Sequence, residues 1–421
     1  MVGLAGFENY SIHKLSGGQR LALASILITR PKLLILDEPV SQMNPHGVQS
    51  FMQLLVKLNK EAGIAILMVE HRVNELYQYF NRLAVMRSGE LIYDGSIERA
   101  WKELTGREDL GLREPQSVKL CRALELDEVT TEQTRIVDMI RKSCVIDVNP
   151  PQQAPAPKLE QSILAVENVT FSYPGSKQPT LKNLSFNIAA GEITAPMGFN
   201  GAGKSTLMNL IGGLAHLKHG SILLNGTAID KALGSVGYLR QEPDLMLLAD
   251  TVHEELCWKN KTITPEQVET LLEQLNLTEY ADDFPLPLNK GQRLRVVLGA
   301  MLAKKPKLLL LDEPTTGQDE RSLSEIRKLL LDYKAGGGSM FICTHDLELA
   351  AQVIDRVIVL RQGEIIADDR THVVLSNNEL LCEGGLTSPT LLPICARLGV
   401  PPCITVEEVK RYVRKTAVGR N

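Results

Sequence analysis

The stretch Gly198-Phe199-Asn200-Gly201-Ala202-Gly203-Lys204-Ser205-Thr206 fits G-x-x-x-x-G-K-[ST], a pattern that cradles phosphates. Its glycines let backbone N–H groups curl around an anion, and a helix opening at its end points its positive dipole at the same spot. Lys204 is spaced to reach the β- and γ-phosphates of a nucleotide, and Ser205 to ligate Mg2+. Asp312-Glu313, 108 residues after Lys204, closes the apolar run 307–311. That run reads as a buried strand delivering two carboxylates at its C-terminal edge, where open α/β sheets place ligands. Asp312 would hold Mg2+ through water, and Glu313 would polarise an attacking water. ATP and Mg2+ are the implied ligands.

The elements that must position these groups alternate. Strand signals at 163–166 precede a turn at Pro174-Gly175, and a strand over 192–197 feeds the phosphate loop. Gly336-Gly337-Gly338 reads as a loop before a strand over 340–343. Strands alternating with helical patterns imply an α/β domain around a mainly parallel sheet. Pro196 falls in the strand leading into the loop, where it removes a ladder hydrogen bond.

The chain also repeats itself. The run ending in Asp37-Glu38-Pro39 recurs at Asp312-Glu313-Pro314 with an offset of 275 residues. At an offset of 274, His71 recurs as His345, Gly89-Glu90 as Gly363-Glu364, and Pro115, Cys121 and Thr131 as Pro389, Cys395 and Thr405. A register held that long implies tandem duplication. The first copy's phosphate loop would fall ahead of Met1, so the first copy is expected to lack its front half. Between the copies, Pro150-Pro151-Gln-Gln-Ala-Pro155-Ala-Pro157 reads as an extended linker.

Composition narrows the class. The 421 residues are 44% hydrophobic and 23% charged with a net charge of −4, which suits globular cores. No long Lys/Arg run marks a nucleic-acid groove. The seven cysteines form no C-x-x-C pair, which argues against zinc and a disulfide framework. Apolar runs are far shorter than the ~20 residues of a membrane helix.

Leu15-Ser16-Gly17-Gly18-Gln19 resembles the signature motif of the ABC ATPase family. With the phosphate loop, the Asp-Glu strand ends and the two histidines, the resemblance covers nearly the whole chain. It implies a P-loop NTPase fold and ATP hydrolysis, with ATP sandwiched between the phosphate loop of one domain and the signature of another. Ser16, Gly17, Gly18 and Gln19 would thus serve the site around Lys204 in trans. By the same resemblance Tyr173 stacks on adenine, Gln241 senses Mg2+ and the membrane partner, and His345 contacts the γ-phosphate. Metal ligation then falls to Ser205, Gln241 and Asp312, and catalysis to Glu313 and His345.

Residues 241–252, the sequence Val69-Glu70-His71-Arg72 and the tail from Ser388 to Gly399 look like the ATPases of energy-coupling factor importers. Those take up vitamins or cobalt and nickel ions through a membrane coupling protein and a substrate-binding membrane subunit. The expected place is the cytoplasmic face of the membrane, with another ATPase chain as a candidate to supply the missing half. The expected organisation is a partial nucleotide-binding domain (1–96), a helical extension (97–149), a linker (150–162), a complete domain (163–371) and a second helical extension (372–421). A soluble tandem ABC protein and a non-catalytic remnant remain as alternatives.

Some positions depart from the family pattern. The second signature reads Leu288-Asn289-Lys290-Gly291-Gln292, without the Ser and first Gly, and Asn44 stands where an aspartate is usual. Gln19 and Pro31 lie two residues closer than Gln292 and Pro306, which shortens the first signature helix. Head-to-tail pairing matches the intact loop with the intact signature and gathers the losses in the other site.

Overall fold

The computed structural model describes residues 25–27, 29–40, 43, 45–148, 161–260 and 262–415. The first signature, residues 15–19, residues 20–24 that follow it, Asn44 and the linker 150–160 lie outside the described residues.

In the first half, strand β1 (Leu33–Asp37) and strand β2 (Ala65–Val69) pair in parallel, joined by the helix Pro45–Ala62. A hairpin of β3 (Arg82–Arg87) and β4 (Glu90–Ser96) follows, then helices Ile97–Leu104, Gln116–Ala123 and Gln133–Ser143 and the short strand β5 (Cys144–Ile146).

The second half opens with β6 (Ser162–Phe171), β7 (Leu181–Ala189), β9 (His219–Leu224) and β10 (Thr227–Ala228), which form a four-stranded sheet. A six-stranded sheet runs in the order β11-β12-β13-β8-β14-β15. Its members are β8 (Ile193–Gly198), β11 (Val236–Leu239), β12 (Leu308–Asp312), β13 (Ser339–Cys343), β14 (Arg356–Arg361) and β15 (Glu364–Arg370). All pairings are parallel except that of the edge strand β15, so the mainly parallel expectation holds for this sheet while the smaller sheet is antiparallel.

The six-stranded sheet is covered on both faces, which explains the unbroken leucines of β12. Leu309 and Leu311 pack with Val297 and Ile326 on one face, and Leu308 and Leu310 pack with Leu207 and Leu184 on the other. A strand buried on both sides needs no polar alternation. β1 has nearly the same sequence, yet Leu34 is buried while Ile35 is 62% exposed. Among the strands described only in the second half, β8 is the one that bears on this difference. In the second half β8 sits between β13 and β14 and joins them into one sheet, whereas β1-β2 and β3-β4 are separate sheets. No counterpart of β8 occurs among the described residues of the first half.

Pro196 in β8 has a visible consequence. The pairing of β8 with β14 continues through Pro196 opposite Ile358, but that with β13 stops at Thr194 opposite Phe341. The N–H that proline lacks therefore costs the sheet nothing on the β14 side.

Among the described residues the two extensions are not purely helical, and each contains a short strand after its helices. β5 pairs antiparallel with β16 (Val413–Lys415), with Val413 opposite Ile146. Around that pairing Leu120, Cys121, Ile136 and Ile140 share one core with Ile394, Cys395, Leu398 and Val409. The tail of the second half is thus buried against the first half, and neither extension closes its core alone. We expect Ile140→Ala, at a fully buried position, to cost about 2–5 kcal/mol. Urea unfolding checks this, and a loss below about 1 kcal/mol would show that this core is not shared as tightly as its burial indicates.

Candidate functional site

β8 delivers the phosphate loop at the C-terminal edge of the six-stranded sheet. Gly198 has φ +143°, and a Cβ there would sit 2.1 Å from the Leu360 carbonyl oxygen of the neighbouring strand. Gly203 has φ +106° and caps the helix Lys204–Ile211, with the Leu181 side chain 2.4 Å from where its Cβ would be. Only glycine meets both constraints. Lys204 is buried beneath the loop, its Nζ donating to the carbonyls of Gly198 (2.7 Å) and Phe199 (3.0 Å). The Phe199 ring lies against Gly385 of the C-terminal extension.

Asp312 closes β12 and Glu313 follows with φ +52°, a strained conformation for a non-glycine residue. The Glu313 N–H donates to Cys343 O (2.8 Å), which carries the ladder one residue past the strand. His345, just beyond β13, faces it: Nε2 is 3.4 Å from Glu313 Oε1, and the His345 N–H donates to Oε2 (3.3 Å). Burial, then the adjacent Asp312 carboxylate, pushes Glu313 up to about 8. Burial, then Lys204 and Arg72, pushes the His345 imidazole down to about 4. The first half repeats the arrangement: Glu38 has φ +41°, its N–H donates to Val69 O (3.0 Å), and its Oε1 lies 3.3 Å from His71 Nε2.

These groups open on one cavity of about 320 Å³. Asn200, Gly201, Gly203, Lys204, Ser205 and Thr206 line it from the loop, and Gln241, Asp312, Glu313 and His345 from the strand ends. Tyr173 does not line it. That ring is 44% exposed, packs edge-on against Phe171 and shares a hydrogen bond with Thr206 (3.2 Å). The expected trans partners Ser16, Gly17, Gly18 and Gln19 lie outside the described residues.

Sequence reasoning did not assign the groups that the first half contributes to this cavity, among them Arg72, Glu75 and Arg113. Arg72 follows His71 directly, and that adjacency was the one available signal. Arg113 carries none, since its partners lie more than 230 residues away. Its guanidinium bonds Asp346 (2.7 Å) and Glu348 (2.8 and 3.0 Å), and Lys119 reaches Glu348 at 2.9 Å. The degenerate second signature also faces the first half: Asn289 and Gln292 form a capping box, and Lys290 Nζ lies 3.6 Å from Glu38 Oε2.

Burial alone would raise the Asp346 carboxyl, but the Arg113 charge and hydrogen bond hold it below the usual carboxylate value. A carboxyl depressed by folding contributes stability above its unfolded value and loses it as pH falls through the folded one. We therefore expect Arg113→Ala, which strands the buried Asp346 carboxylate and leaves Glu348 with Lys119 alone, to cost about 3–5 kcal/mol at neutral pH. The gap to the wild type should narrow below the usual carboxylate range as Asp346 takes up a proton. Urea unfolding across pH checks both; a gap independent of pH would assign the loss to packing.

Residues 181–316 match the family described as ABC transporter. A Methanosarcina mazei protein, provisionally named an ABC transporter ATP-binding protein, is 33% identical over 439 positions, covering 99% of this chain and 75% of its own length. A similarly named Bacillus cereus protein is 30% identical, with 95% and 73% covered. Among solved structures, CbiO1 of Clostridium perfringens, described as part of the ABC transporter complex CbiONQ, is 30% identical. It superposes with a TM-score of 0.48 over 53% of this chain and 94% of that one. A nucleotide-free ATP-binding cassette from an ABC transporter is 27% identical with a TM-score of 0.47, covering 52% and 98%. By its sequence relationship and its phosphate-loop fold, the chain belongs to the ATP-binding proteins of ABC transporters, a family of ATPases.

Proposed function

We propose that the chain energises a membrane importer of a vitamin or a metal ion, of the energy-coupling factor kind, from the cytoplasmic face of the membrane. ABC ATPases work with membrane permease subunits, and the partners in this reading are a coupling protein and a substrate-binding membrane subunit. Residues 241–252, Val69-Glu70-His71-Arg72 and the tail around Pro389 support it by resemblance. Among the described residues no helix is long and apolar enough to cross a membrane.

The reading treats the halves as tandem copies, the first a partial nucleotide-binding domain (1–96) with its extension (97–149), the second a complete domain (163–371) with its own (372–421). In its support, the hairpins β3-β4 and β14-β15 shift register at Val85/Met86 and Val359/Leu360, the same 274-residue offset as the histidines.

The observation that carries the catalytic reading is the Glu313–His345 pair opposite the buried Lys204 in one cavity. Lys204 exchanges its two carbonyl partners for phosphate oxygens, a charge-assisted contact. Glu313 orients a water that attacks the γ-phosphorus; the bond to the ADP oxygen breaks, one water proton stays on the released phosphate and the other passes to solvent, and ADP and phosphate leave. His345 keeps a neutral imidazole against the terminal phosphate, its Nδ1 buried without a hydrogen-bond partner. For a metal, Ser205, Gln241 and Asp312 line the same cavity with oxygen donors, and burial raises the Asp312 carboxyl despite the lowering effects of Cys343, Lys204 and Arg240. That set suits Mg2+, which would neutralise charge on the phosphate oxygens when bound. Ser16, Gly17, Gly18 and Gln19, or their equivalents from another ATPase chain, complete the site in trans.

Lys204→Ala should weaken ATP binding by about 10- to 100-fold. Glu313→Gln should retain ATP yet release phosphate about 10²- to 10⁴-fold more slowly, while Glu38→Gln stays within a few-fold of wild type. Nucleotide-binding and phosphate-release assays decide, and equal losses from the two glutamines would overturn the assignment of the working site. For the transport reading, membrane subunits should co-purify from native membranes, and vitamin or metal uptake should fall in a Lys204→Ala strain; unaltered uptake would refute it.

A further inference from the structure

We propose that Arg72, from the first half of the chain, contacts the terminal phosphate of ATP bound at the phosphate loop of the second half. It would be a catalytic cation supplied across the interface between halves. The inference rests on the reading of that loop as the ATP-hydrolysing site.

Position comes first. Arg72 lines the same cavity as Lys204, Glu313 and His345, although it lies on the segment between β2 and the helix Val73–Leu76. Its charge acts on both Glu313 and His345.

Orientation is the second observation. The Arg72 Nε donates to Glu75 Oε1 at 3.3 Å, NH2 donates to Glu75 Oε2, and NH1 donates to the Val40 carbonyl at 3.3 Å. A guanidinium has five N–H groups in a rigid plane. Three are used in holding it, which leaves one on each terminal nitrogen. A planar cation with two N–H groups still available can pair with phosphate oxygens, and little side-chain freedom remains to be lost on contact.

Charge is the third. Burial would lower the Arg72 pKa, but Glu75, Glu70 and Asp346 outweigh it and keep the guanidinium charged. Arg113, the other arginine on the cavity, is spent on Asp346 and Glu348, both nearly buried. Arg72 is itself 20% exposed and its close partner, Glu75, is 41% exposed. A carboxylate in contact with water offsets a neighbouring cation less than a buried one does. Arg72 therefore keeps attraction for an incoming anion.

The γ-phosphate separates this role from a purely structural one, because ADP lacks it. In the full-length chain, Arg72→Lys and Arg72→Ala should lower turnover by about 10- to 100-fold and weaken ATP binding, while ADP affinity stays within about two-fold of wild type. Lysine keeps the charge but loses the fork, so its partial loss should lie between wild type and alanine. Added guanidinium chloride at millimolar levels should restore part of the alanine variant's turnover and none of that of Lys204→Ala. Turnover within two-fold of wild type in both Arg72 variants, with Lys204→Ala inactive, would overturn the role of Arg72 and leave the ATPase site standing. Equal weakening of ATP and ADP with no rescue would likewise reduce Arg72 to a brace for the Val40 turn. A wild-type chain that hydrolyses no ATP and is indifferent to Lys204→Ala would remove both readings together.

Discussion

Buried negative charge at the end of the six-stranded sheet is the constraint on which the rest depends. Asp312 and Glu313 sit side by side where a fully apolar strand stops, and burial raises both carboxyls. Such a pair is sustained only where cations or a bound metal can approach. Lys204 comes from the adjoining loop, and Arg72 and Arg113 come from the other half of the chain. Arg113 answers a second pair of acids, Asp346 and Glu348, at the start of the helix Leu347–Val353. The halves are thus held together at the site by charge, and a change in the occupancy of one carboxylate is felt by groups on both.

The same logic has two outcomes in the two halves. Each has a strand ending in Asp-Glu, a glutamate in a left-handed conformation and a histidine within 3.4 Å of it. At Glu313 the nearby lysine belongs to the phosphate loop, whereas at Glu38 it is Lys290, which stands at the first glycine position of the Leu288–Gln292 motif. The Lys290–Glu38 pair is partly exposed and contributes little stability by itself. It does place a permanent cation beside a carboxylate whose own half shows no phosphate loop among the described residues. The contrast in burial agrees: β12 is covered on both faces, while Ile35 and Leu67 of β1 and β2 face outward.

Apolar burial joins the halves a second time, at the tails. Cys121 and Cys395, 274 residues apart like His71 and His345, are both buried in the shared core, and β5 and β16 zip its edge. Phe199 ties the phosphate loop to the same C-terminal extension through Gly385. A ligand that moves the loop therefore pushes on the extension, which is itself packed against the first half.

The sequence by itself determined the phosphate loop, the Asp312-Glu313 strand end, His345 and the parallel α/β architecture. Each is set by short-range chemistry: glycines that accept φ above zero, an unbroken leucine run suited to a strand covered on both faces, a polar residue just past a strand. The recurring 274-residue spacing of motifs was legible for the same reason, since spacing survives in a linear string. Only the tertiary structure decided which half each cation serves. Arg72 and Arg113 reach carboxylates through pairings that span more than 230 residues, or a turn whose aim depends on packing. It also decided that Tyr173 bonds Thr206 without itself lining the cavity, and that the two extensions share a core. The physical reason is common to all three. Side-chain direction and long-range charge partners are fixed by how layers dock, and docking depends on the whole surface of each half rather than on any local pattern.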